Sequence, residues 1–539
     1  MKRIASLLMC LVVAIASFSF VACAPDVPDT PETLEIYCWD AGYGTQWCVD
    51  MVEEFKKQAW VKEKYPNLII PAVTTNDVSN FAESKLNAGQ KANSFDLIFG
   101  PNLQSFAGPN GQIEDITESV YNSTVPGESI KWKDKAFDSY NRSNKYIDVT
   151  DLSSETYYMT SWAGGMNSII YNETTLNEFG IKVPNTTDGF LAACATIMAN
   201  KGKNNDKYNE GFSLVQAKDA MGYTKYLFPI WWAQYEGVDR YFDFWNGIDD
   251  NRYSKNIFLQ EGRLHALEVY EELLDYDKGY FTPSSFTWEF MQAQTLFLQG
   301  HGVFHINGDW FDNEMRAIAN EIAATANGID TFKTMRVPVI SELGVKLGIT
   351  DAQLSEVVDY VDGVTTTEPE FTSSTGYGKA DVIAAVREAR TIVSSIGPNH
   401  TSVIPKYANG KNVAIDFLRF MATDVAIESY IKSTGGASLP FKYNLKEENV
   451  ALYNTLNPLQ QTRLDYFGTD KYEVFTLPAD YAFPLAKYGG LKALVKEDYH
   501  TIFASSGNTK TPQNFIDETI DAWNDTKWNM ALANAGIAN

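Results

Sequence analysis

The stretch Leu34-Glu35-Ile36-Tyr37-Cys38-Trp39-Asp40 opens the part of the chain whose pattern decides the fold. Its alternating apolar residues predict a β-strand, and apolar residues at helical spacing over 48–59 predict a helix behind it. Two further apolar runs, at 68–73 and 95–99, predict strands, and a second helix is predicted between them over 78–88. This order of strand, helix, strand, helix and strand is typical of an α/β sheet with parallel strands.

Polar and aromatic side chains stand where these predicted strands end. Trp39 and Asp40 follow the first strand, with Tyr43 in the loop behind them, while Asn76 and Asn102 follow the second and third. The carboxyl ends of parallel strands meet at one edge of a sheet, and ligands of open α/β sheets gather there. We therefore expect these side chains to line a binding site.

The later sequence continues with both kinds of element. Strands are predicted over 168–172 and 302–307, a polar loop over 201–210, and helices over 189–199, 291–298 and 413–421. Residues 342–395 contain two further predicted helices, over 353–360 and 381–394, around a polar centre. This stretch is predicted to be an insertion.

The N-terminal sequence predicts that the protein is exported. Lys2 and Arg3 precede an uncharged run over 4–22, so residues 1–22 are predicted to be a signal peptide. The run ends in Phe20-Val21-Ala22-Cys23, which resembles the lipobox of bacterial lipoproteins and implies that Cys23 receives a diacylglycerol. An ordinary secretory signal, cleaved near Ala22 without lipidation, is the alternative. Residues 23–33 contain three prolines and no large apolar residue, which predicts an extended tether.

Because 45% of its residues are hydrophobic and 21% are charged, the composition indicates a folded chain. The length of 539 residues indicates more than one domain. The formal net charge of −24 argues against nucleic acid as a partner, because phosphate binding depends on a basic surface. Beyond Cys23, three cysteines remain: Cys38, Cys48 and Cys194. An odd number excludes complete pairing, and for Cys38 and Cys48 both a disulfide and two buried thiols stay open.

Six features carry a family resemblance through their order along the chain. They are the lipobox, IYCWDAGYGTQW at 36–47, FDLIFGP at 95–101, SIIYN at 168–172 with VPNTTDGF at 183–190, FLQGHGVFHINGDW at 297–310, and IPKYANGKNVAIDFLRFMATDVAIESY at 404–430 closed by GGASLP at 435–440. In this order they resemble the family 1 extracellular solute-binding proteins of ABC importers, the family of the maltose-binding protein. The 342–395 insertion and the region after Asn444 lie outside the resemblance.

The resemblance implies a type II periplasmic-binding-protein-like fold, in which two α/β lobes joined by three hinge crossings close on a solute. The expected crossings lie at 161–164, 401–404 and 435–439. Lobe 1 would then comprise 34–160 and 403–434, and lobe 2 would comprise 163–402 and 438–539. The resemblance also implies a monomer on the outer face of the cytoplasmic membrane, held there by its lipid anchor only, that delivers its ligand to ABC permease subunits.

The aromatic content, with 12 Trp, 29 Tyr and 31 Phe, favours a carbohydrate ligand. A pyranose ring packs its apolar face on a flat aromatic, while its hydroxyls need polar partners. The candidate residues are Trp310 with Asp309 and Asn307, Trp39 with Asp40, the adjacent Trp231 and Trp232, and, by position, Tyr43, Asn76, Asn102 and Trp162. Among these, Trp310 occupies the sugar-stacking position that the resemblance implies.

Two other functions stay open. A secreted glycoside hydrolase would need two carboxylates about 5–5.5 or 6.5–9.5 Å apart, and a peptide-binding protein of an ABC importer would need an extended groove. The sequence contains no GxSxG elbow, HExxH helix or P-loop, so no enzymatic activity is predicted. No metal is predicted, because His301 and His305 would lie about 13 Å apart along a strand, too far to share one ion. No cofactor is predicted either.

Overall fold

The computed structural model describes residues 32–148, 151, 153–201, 212–215, 223–467, 483–490 and 499–537. The predicted signal peptide, Cys23, nearly all of the predicted tether and most of the predicted 201–210 loop lie outside these residues. Among the helices in the described ranges, none has the length and apolar character that crossing a membrane requires.

The described residues form thirteen β-strands and twenty-four α-helices. The strands are β1 (Ile36–Trp39), β2 (Thr74–Asn76), β3 (Leu97–Pro101), β4 (Lys145–Tyr146), β5 (Thr156–Tyr157), β6 (Thr160–Ser161), β7 (Asn167–Asn172), β8 (Phe212–Val215), β9 (Ile248–Asp249), β10 (Arg252–Tyr253), β11 (Gly302–Gly308), β12 (Phe332–Met335) and β13 (His400–Val403). The α-helices are α1 (Gln46–Lys57), α2 (Ala59–Lys64), α3 (Phe81–Ala88), α4 (Trp132–Lys135), α5 (Asp138–Asn144), α6 (Glu173–Glu178), α7 (Thr187–Ala199), α8 (Phe228–Glu236), α9 (Val238–Asn246), α10 (Glu261–Leu274), α11 (Phe290–Leu296), α12 (Phe311–Ala323), α13 (Ser341–Lys346), α14 (Asp351–Val361), α15 (Lys379–Thr391), α16 (Lys411–Phe420), α17 (Asp424–Thr434), α18 (Leu445–Glu448), α19 (Val450–Tyr453), α20 (Pro458–Phe467), α21 (Pro484–Tyr488), α22 (Tyr499–Phe503), α23 (Pro512–Ala522) and α24 (Asp525–Asn534).

The first sheet has five strands in the order β2-β1-β3-β13-β6. Its strand β1 pairs in parallel with both β2 and β3, as the sequence predicts, whereas β13 is antiparallel to β3 and β6. β2 begins at Thr74, later than the predicted strand over 68–73, because Pro71 has no N–H to donate to a ladder. Within 68–73, Ile69 forms an isolated bridge with Thr33 of the predicted tether.

Helix α1 shows why the first sheet acquires a core. It buries Trp47, Met51 and Phe55, which recur every four residues and therefore share one face. The Trp47 ring meets Phe99 of β3 edge-on, with 5.2 Å between ring centroids. The part of the chain built on this sheet is called lobe 1 from here on.

The second sheet has four strands in the order β12-β7-β11-β8 and is the centre of lobe 2. Strand β7 is antiparallel to β11 and β12, and β11 is parallel to β8. The chain leaves lobe 1 after β6 and enters lobe 2 at β7, so the first crossing comprises residues 162–166. Both sheets combine parallel and antiparallel strands within an α/β fold of two lobes.

The other two crossings differ from their predicted positions. Because β13 pairs with β3 from His400 onward, the second crossing precedes the expected 401–404. Phe441 forms a bridge with Ala136, and Leu445 and Tyr453 are buried in the core of lobe 1. Residues 438–453 therefore pack on lobe 1 rather than on lobe 2, because the apolar side chains of this segment are covered there.

The predicted insertion at 342–395 is an integral part of lobe 2. Its helices α14 and α15 bring Leu354, Val358 and Val386 into the same buried cluster as Phe304 of β11. All four side chains are fully buried. The segment therefore adds to the core of lobe 2 and is not an appendage on its surface.

Candidate ligand-binding site

The loop after β1 and the first turn of α12 meet where the two lobes face each other. Asn313 Nδ2 donates to the carbonyl oxygen of Gly42 at 2.8 Å. A Cβ atom on Gly42 would lie 3.0 Å from Trp310 Cβ and 2.6 Å from Glu314 Oε1. The loop can approach the helix this closely because residue 42 is a glycine.

Trp310 lies at the N-terminal end of α12, directly after β11 and the turn at Gly308. Its indole covers Gly308, where a Cβ atom would lie 2.0 Å from the ring. The edges of Tyr43 and Tyr223 approach it with ring centroids 6.3 and 6.1 Å away. Trp310 is 6% exposed, so in this closed arrangement the predicted stacking residue is covered by both lobes.

Asp309 links the lobes at the hinge. Its Oδ1 accepts a hydrogen bond from the Tyr43 hydroxyl at 2.5 Å, and its carboxyl group also faces the backbone of Gly164 in the first crossing and of Ser438. Burial raises the pKa of Asp309 to about 6, while the Tyr43 hydrogen bond and the charge of Arg463 act in the opposite direction. At 1% exposure, Asp309 holds the lobes together in this arrangement and offers no open surface to a ligand.

The lobe 1 side of the site is aromatic. Half-buried Trp39 donates its indole N–H to the Asp77 carbonyl oxygen at 3.2 Å, and its ring lies against His400 with centroids 5.9 Å apart. The His400 ring also meets Tyr43 and Trp162, at 5.5 and 4.8 Å. Burial lowers the pKa of His400 to about 4, so its imidazole is neutral at pH 7. This histidine was not predicted from the sequence.

Three polar side chains predicted for the site stand at one edge of the first sheet. Asp40 and Asn102 are exposed, and half-buried Asn76 accepts a hydrogen bond from the Val78 N–H at 2.7 Å. Asp40 and Asn102 follow the neighbouring strands β1 and β3, and Asn76 is the last residue of β2, so the structure brings them to the edge that the sequence indicates. Their carboxylate and amide groups are available to a ligand on the lobe 1 side.

The structure gives Trp162, Trp231 and Trp232 packing roles, which corrects the expectation that they contact a ligand. Trp162 is fully buried and stacks on Trp47, with centroids 5.3 Å apart and 12° between the planes. Trp231 and Trp232 lie fully buried in α8, where their indole N–H groups donate to the Pro338 carbonyl and the Gln260 side chain. Residues 228–236 form a helix in the lobe 2 core.

Asn307 also differs from its prediction. It is fully buried within β11, its Nδ2 lies 2.9 Å from His305 Nε2, and its Oδ1 accepts from the Gly308 N–H at 2.7 Å. The side chain is therefore engaged by its own strand. Ligand contact by Asn307 is not supported, because the carboxamide points into the lobe 2 core.

Glu314 and Gln294 belong to the site and were missed. The Nε2 of fully buried Gln294 donates to Glu314 Oε2 at 2.9 Å. Burial raises the pKa of Glu314 to about 7, while the Gln294 hydrogen bond acts in the opposite direction. The position of Glu314, one helical turn after Trp310, is a signal that could have identified it. Gln294 lies in the preceding helix, and its sequence context gives no comparable signal.

No model of a known protein family matches this chain, and no curated protein matches it either. Solved structures do match its fold. A chitin oligosaccharide binding protein is similar with a TM-score of 0.54 and 13% identity, over 93% of this chain and 100% of its own. The cyclic α-maltosyl-1,6-maltose binding protein from Arthrobacter globiformis gives a TM-score of 0.54 and 14% identity, over 94% and 100%.

A probable secreted solute-binding lipoprotein from Streptomyces coelicolor is similar with a TM-score of 0.55 and 14% identity, over 92% of this chain and 99% of its own. At such low identity the likeness concerns the fold. The match extends over nearly the whole of each of these proteins. This chain therefore has the two-lobed, type II α/β fold of the extracellular solute-binding proteins.

Proposed function

We propose that this protein is an extracytoplasmic solute-binding lipoprotein that captures an oligosaccharide between its lobes and delivers it to the permease subunits of an ABC importer. One observation carries the proposal: an aromatic ring stands beside carboxylates on each side of the lobe boundary. Trp39 and Asp40 belong to lobe 1, and Trp310 and Glu314 belong to lobe 2. Opening of the lobes would turn both indoles toward a shared cleft.

The chemistry of these residues suits a sugar. The flat face of an indole covers the apolar face of a pyranose, and carboxylates and carboxamides accept hydrogen bonds from ring hydroxyls. Asp40, Asn76 and Asn102 supply such groups on lobe 1. Two of the proteins with this fold are described as binding chitin oligosaccharide and cyclic maltosyl-maltose, which supports the same ligand class here.

A peptide is the second ligand class. Peptide recognition uses backbone pairing along an extended strand edge and charge capture at the termini. At the described site, aromatic rings and acidic groups predominate, and the edge strand β2 of the first sheet is three residues long. These features favour a saccharide over a peptide.

Calorimetric titration of the purified mature protein with a panel of oligosaccharides and peptides tests the proposal. A saccharide should bind at one site per chain, and at a hundredfold excess over Kd it should stabilise the native state by about 2.7 kcal/mol. Saturable binding of peptides without binding of any saccharide would contradict the proposal.

Chromatography of the same mixtures tests the proposal that the ligand is bound without being altered. The saccharide should be recovered intact after prolonged incubation. Shorter sugars that accumulate in proportion to protein concentration would instead support a glycoside hydrolase, which needs two carboxylates on either side of the bond it cleaves.

We further propose that Cys23 is lipidated and that membrane contact is confined to this anchor, with the protein acting as a monomer. The Phe20-Val21-Ala22-Cys23 sequence and the proline-containing tether behind it support lipidation at Cys23. Metabolic labelling with a tagged fatty acid should mark the wild type but not the Cys23→Ala variant. Label that persists in the variant would contradict anchoring at Cys23.

A further inference from the structure

Gln294 and Glu314 lie side by side next to Trp310 and are described below as the acid–amide pair. Gln294 projects from α11 and Glu314 from the first turn of α12, and the two are joined by the 2.9 Å hydrogen bond from Nε2 to Oε2. Glu314 Oε1 faces the loop of lobe 1, where it would lie 2.6 Å from a Cβ atom on Gly42. The pair therefore lies in lobe 2 but is directed toward the lobe boundary.

Within the described residues, no hydrogen bond reaches the other oxygen of Glu314, Oε1, or the amide oxygen of Gln294, Oε1. Gln294 is fully buried, and its Oε1 accepts no hydrogen bond there. Within the same residues, the one side-chain hydrogen bond formed by Glu314 goes to Oε2. A buried carbonyl oxygen without a donor is costly, so this arrangement calls for a donor from outside the pair.

The charges around Glu314 do not neutralise it. Asp309 lies just before the helix of Glu314, and Asp312, within the helix, is already paired with Arg463 at 2.7 Å. Arg316, on the next turn, donates to the Ser433 carbonyl oxygen at 3.2 Å. From lobe 1, the loop contributes Asp40 and Tyr43. Among the described residues, no ion pair joins Glu314 to a basic side chain, so a ligand donor would meet an uncompensated acceptor.

We propose that the acid–amide pair is the specificity-determining element of the cleft and binds a proton-donating substituent on the sugar ring stacked against Trp310. A hydroxyl and a protonated amine share this chemistry, because each can donate to the free Oε1 of Glu314, and the amine has further hydrogens for Oε1 of Gln294. A ring substituent that has no donor hydrogen, such as an ether, would leave the Oε1 atoms of Glu314 and Gln294 without a hydrogen bond. The inference rests on the proposed oligosaccharide function and names the part of the ligand that lobe 2 recognises.

Ionisation of Glu314 follows from the same contact. With its pKa raised by burial to about 7, the group is about half protonated at pH 7 without ligand. A donor at Oε1 favours the carboxylate, so binding expels the remaining proton. Up to about half a proton per ligand is therefore expected to be released at pH 7.

The test is calorimetric titration at pH 7 in two buffers of different ionisation enthalpy. The probes are maltotriose, chitotriose and its fully N-acetylated form, which separate hydroxyl from amine donors. For the probe that binds the wild type, Glu314→Gln should weaken affinity at least tenfold and abolish proton release. If chitotriose binds most tightly, the substituent is an amine. If maltotriose binds most tightly, the substituent is a hydroxyl.

Two further variants separate recognition from folding. Glu321→Gln, at an exposed position on the same helix, should leave affinity and proton release unchanged. Gln294→Leu should lower affinity while thermal unfolding stays close to that of the wild type. Unchanged affinity and unchanged proton release in Glu314→Gln would overturn the inference while leaving the proposed function intact. Failure of the wild type to bind any saccharide would overturn both.

Discussion

For some residues the role follows from the local sequence, and for others it depends on contacts with residues that are distant along the chain. Trp39 and Asp40 could be placed because a strand end is visible in the sequence. Trp231, Trp232 and Asn307 were misplaced because a residue beside a turn signal and a residue in a packed element look alike locally. The Gln294–Glu314 contact joins two helices, and nothing near either residue reveals it.

Replacing Trp310 with alanine tests the residue at the centre of the site. The loss of a buried aromatic anchor should cost about 2 kcal/mol of binding, or roughly a thirtyfold rise in Kd. Titration of the variant with the best oligosaccharide measures this change, and circular dichroism checks that the fold is retained.

Trp60→Ala is the matched control. This half-buried tryptophan in α2 packs edge-on against Phe55 at 5.7 Å, behind the far end of α1 from the site. Its loss should lower thermal stability and leave Kd unchanged. Equal effects of the two substitutions on Kd would show that Trp310 is a packing residue.

Among the elements, strands β1 and β3 and the helices α1 and α3 were predictable because each carries a local pattern of strand or helix. Strand β2 was not, since it lies at Thr74–Asn76, beyond the predicted 68–73, and its position depends on where Pro71 interrupts pairing. Nor was the packing of residues 438–453 on lobe 1, because the pattern identifies apolar side chains without identifying the surface that covers them. Likewise, α14 and α15 were predicted as helices, but their place in the lobe 2 core depends on tertiary contacts.

The loop between β1 and α1 yields a prediction about closure. Gly42→Ala would place a methyl group 3.0 Å from Trp310 Cβ, a position that moving a side chain cannot relieve. We expect the variant to fold normally, with weaker ligand binding because the loop no longer seats on α12. Kd and thermal unfolding without ligand measure the two effects. Wild-type affinity in this variant would show that the loop contact is not required for closure.

At the scale of the whole molecule, the closed arrangement buries two carboxyl groups. Burial raises the pKa of Asp309 to about 6 and that of Glu314 to about 7. Opening exposes both to water and returns each pKa toward its ordinary value near 4. Between about pH 4 and 7 the closed form therefore holds more protons than the open form, so closure without ligand is favoured at low pH and is lost as pH rises through 6 and 7.

Small-angle scattering of the ligand-free protein measures this effect. The radius of gyration should be larger at pH 8 than at pH 5, and the double variant Asp309→Asn, Glu314→Gln should show little change. Burial lowers the pKa of His400 to about 4, so exposure of this ring on opening would act in the opposite direction, and the comparison with the double variant separates its effect from that of the carboxyl groups. A wild-type radius that is constant, or larger at pH 5, would contradict the assignment of these carboxyl groups to closure.

The central claim is that an oligosaccharide is held between the lobes, and hydrogen exchange with and without a saturating saccharide tests it most directly. Ligand should slow amide exchange on both sides of the boundary, in the 40–45 loop of lobe 1 and at 309–314 of lobe 2. Exchange in the distant helices α23 and α24 should be unchanged. Slowed exchange confined to one lobe, or binding that leaves both boundary segments unchanged, would contradict capture between the lobes.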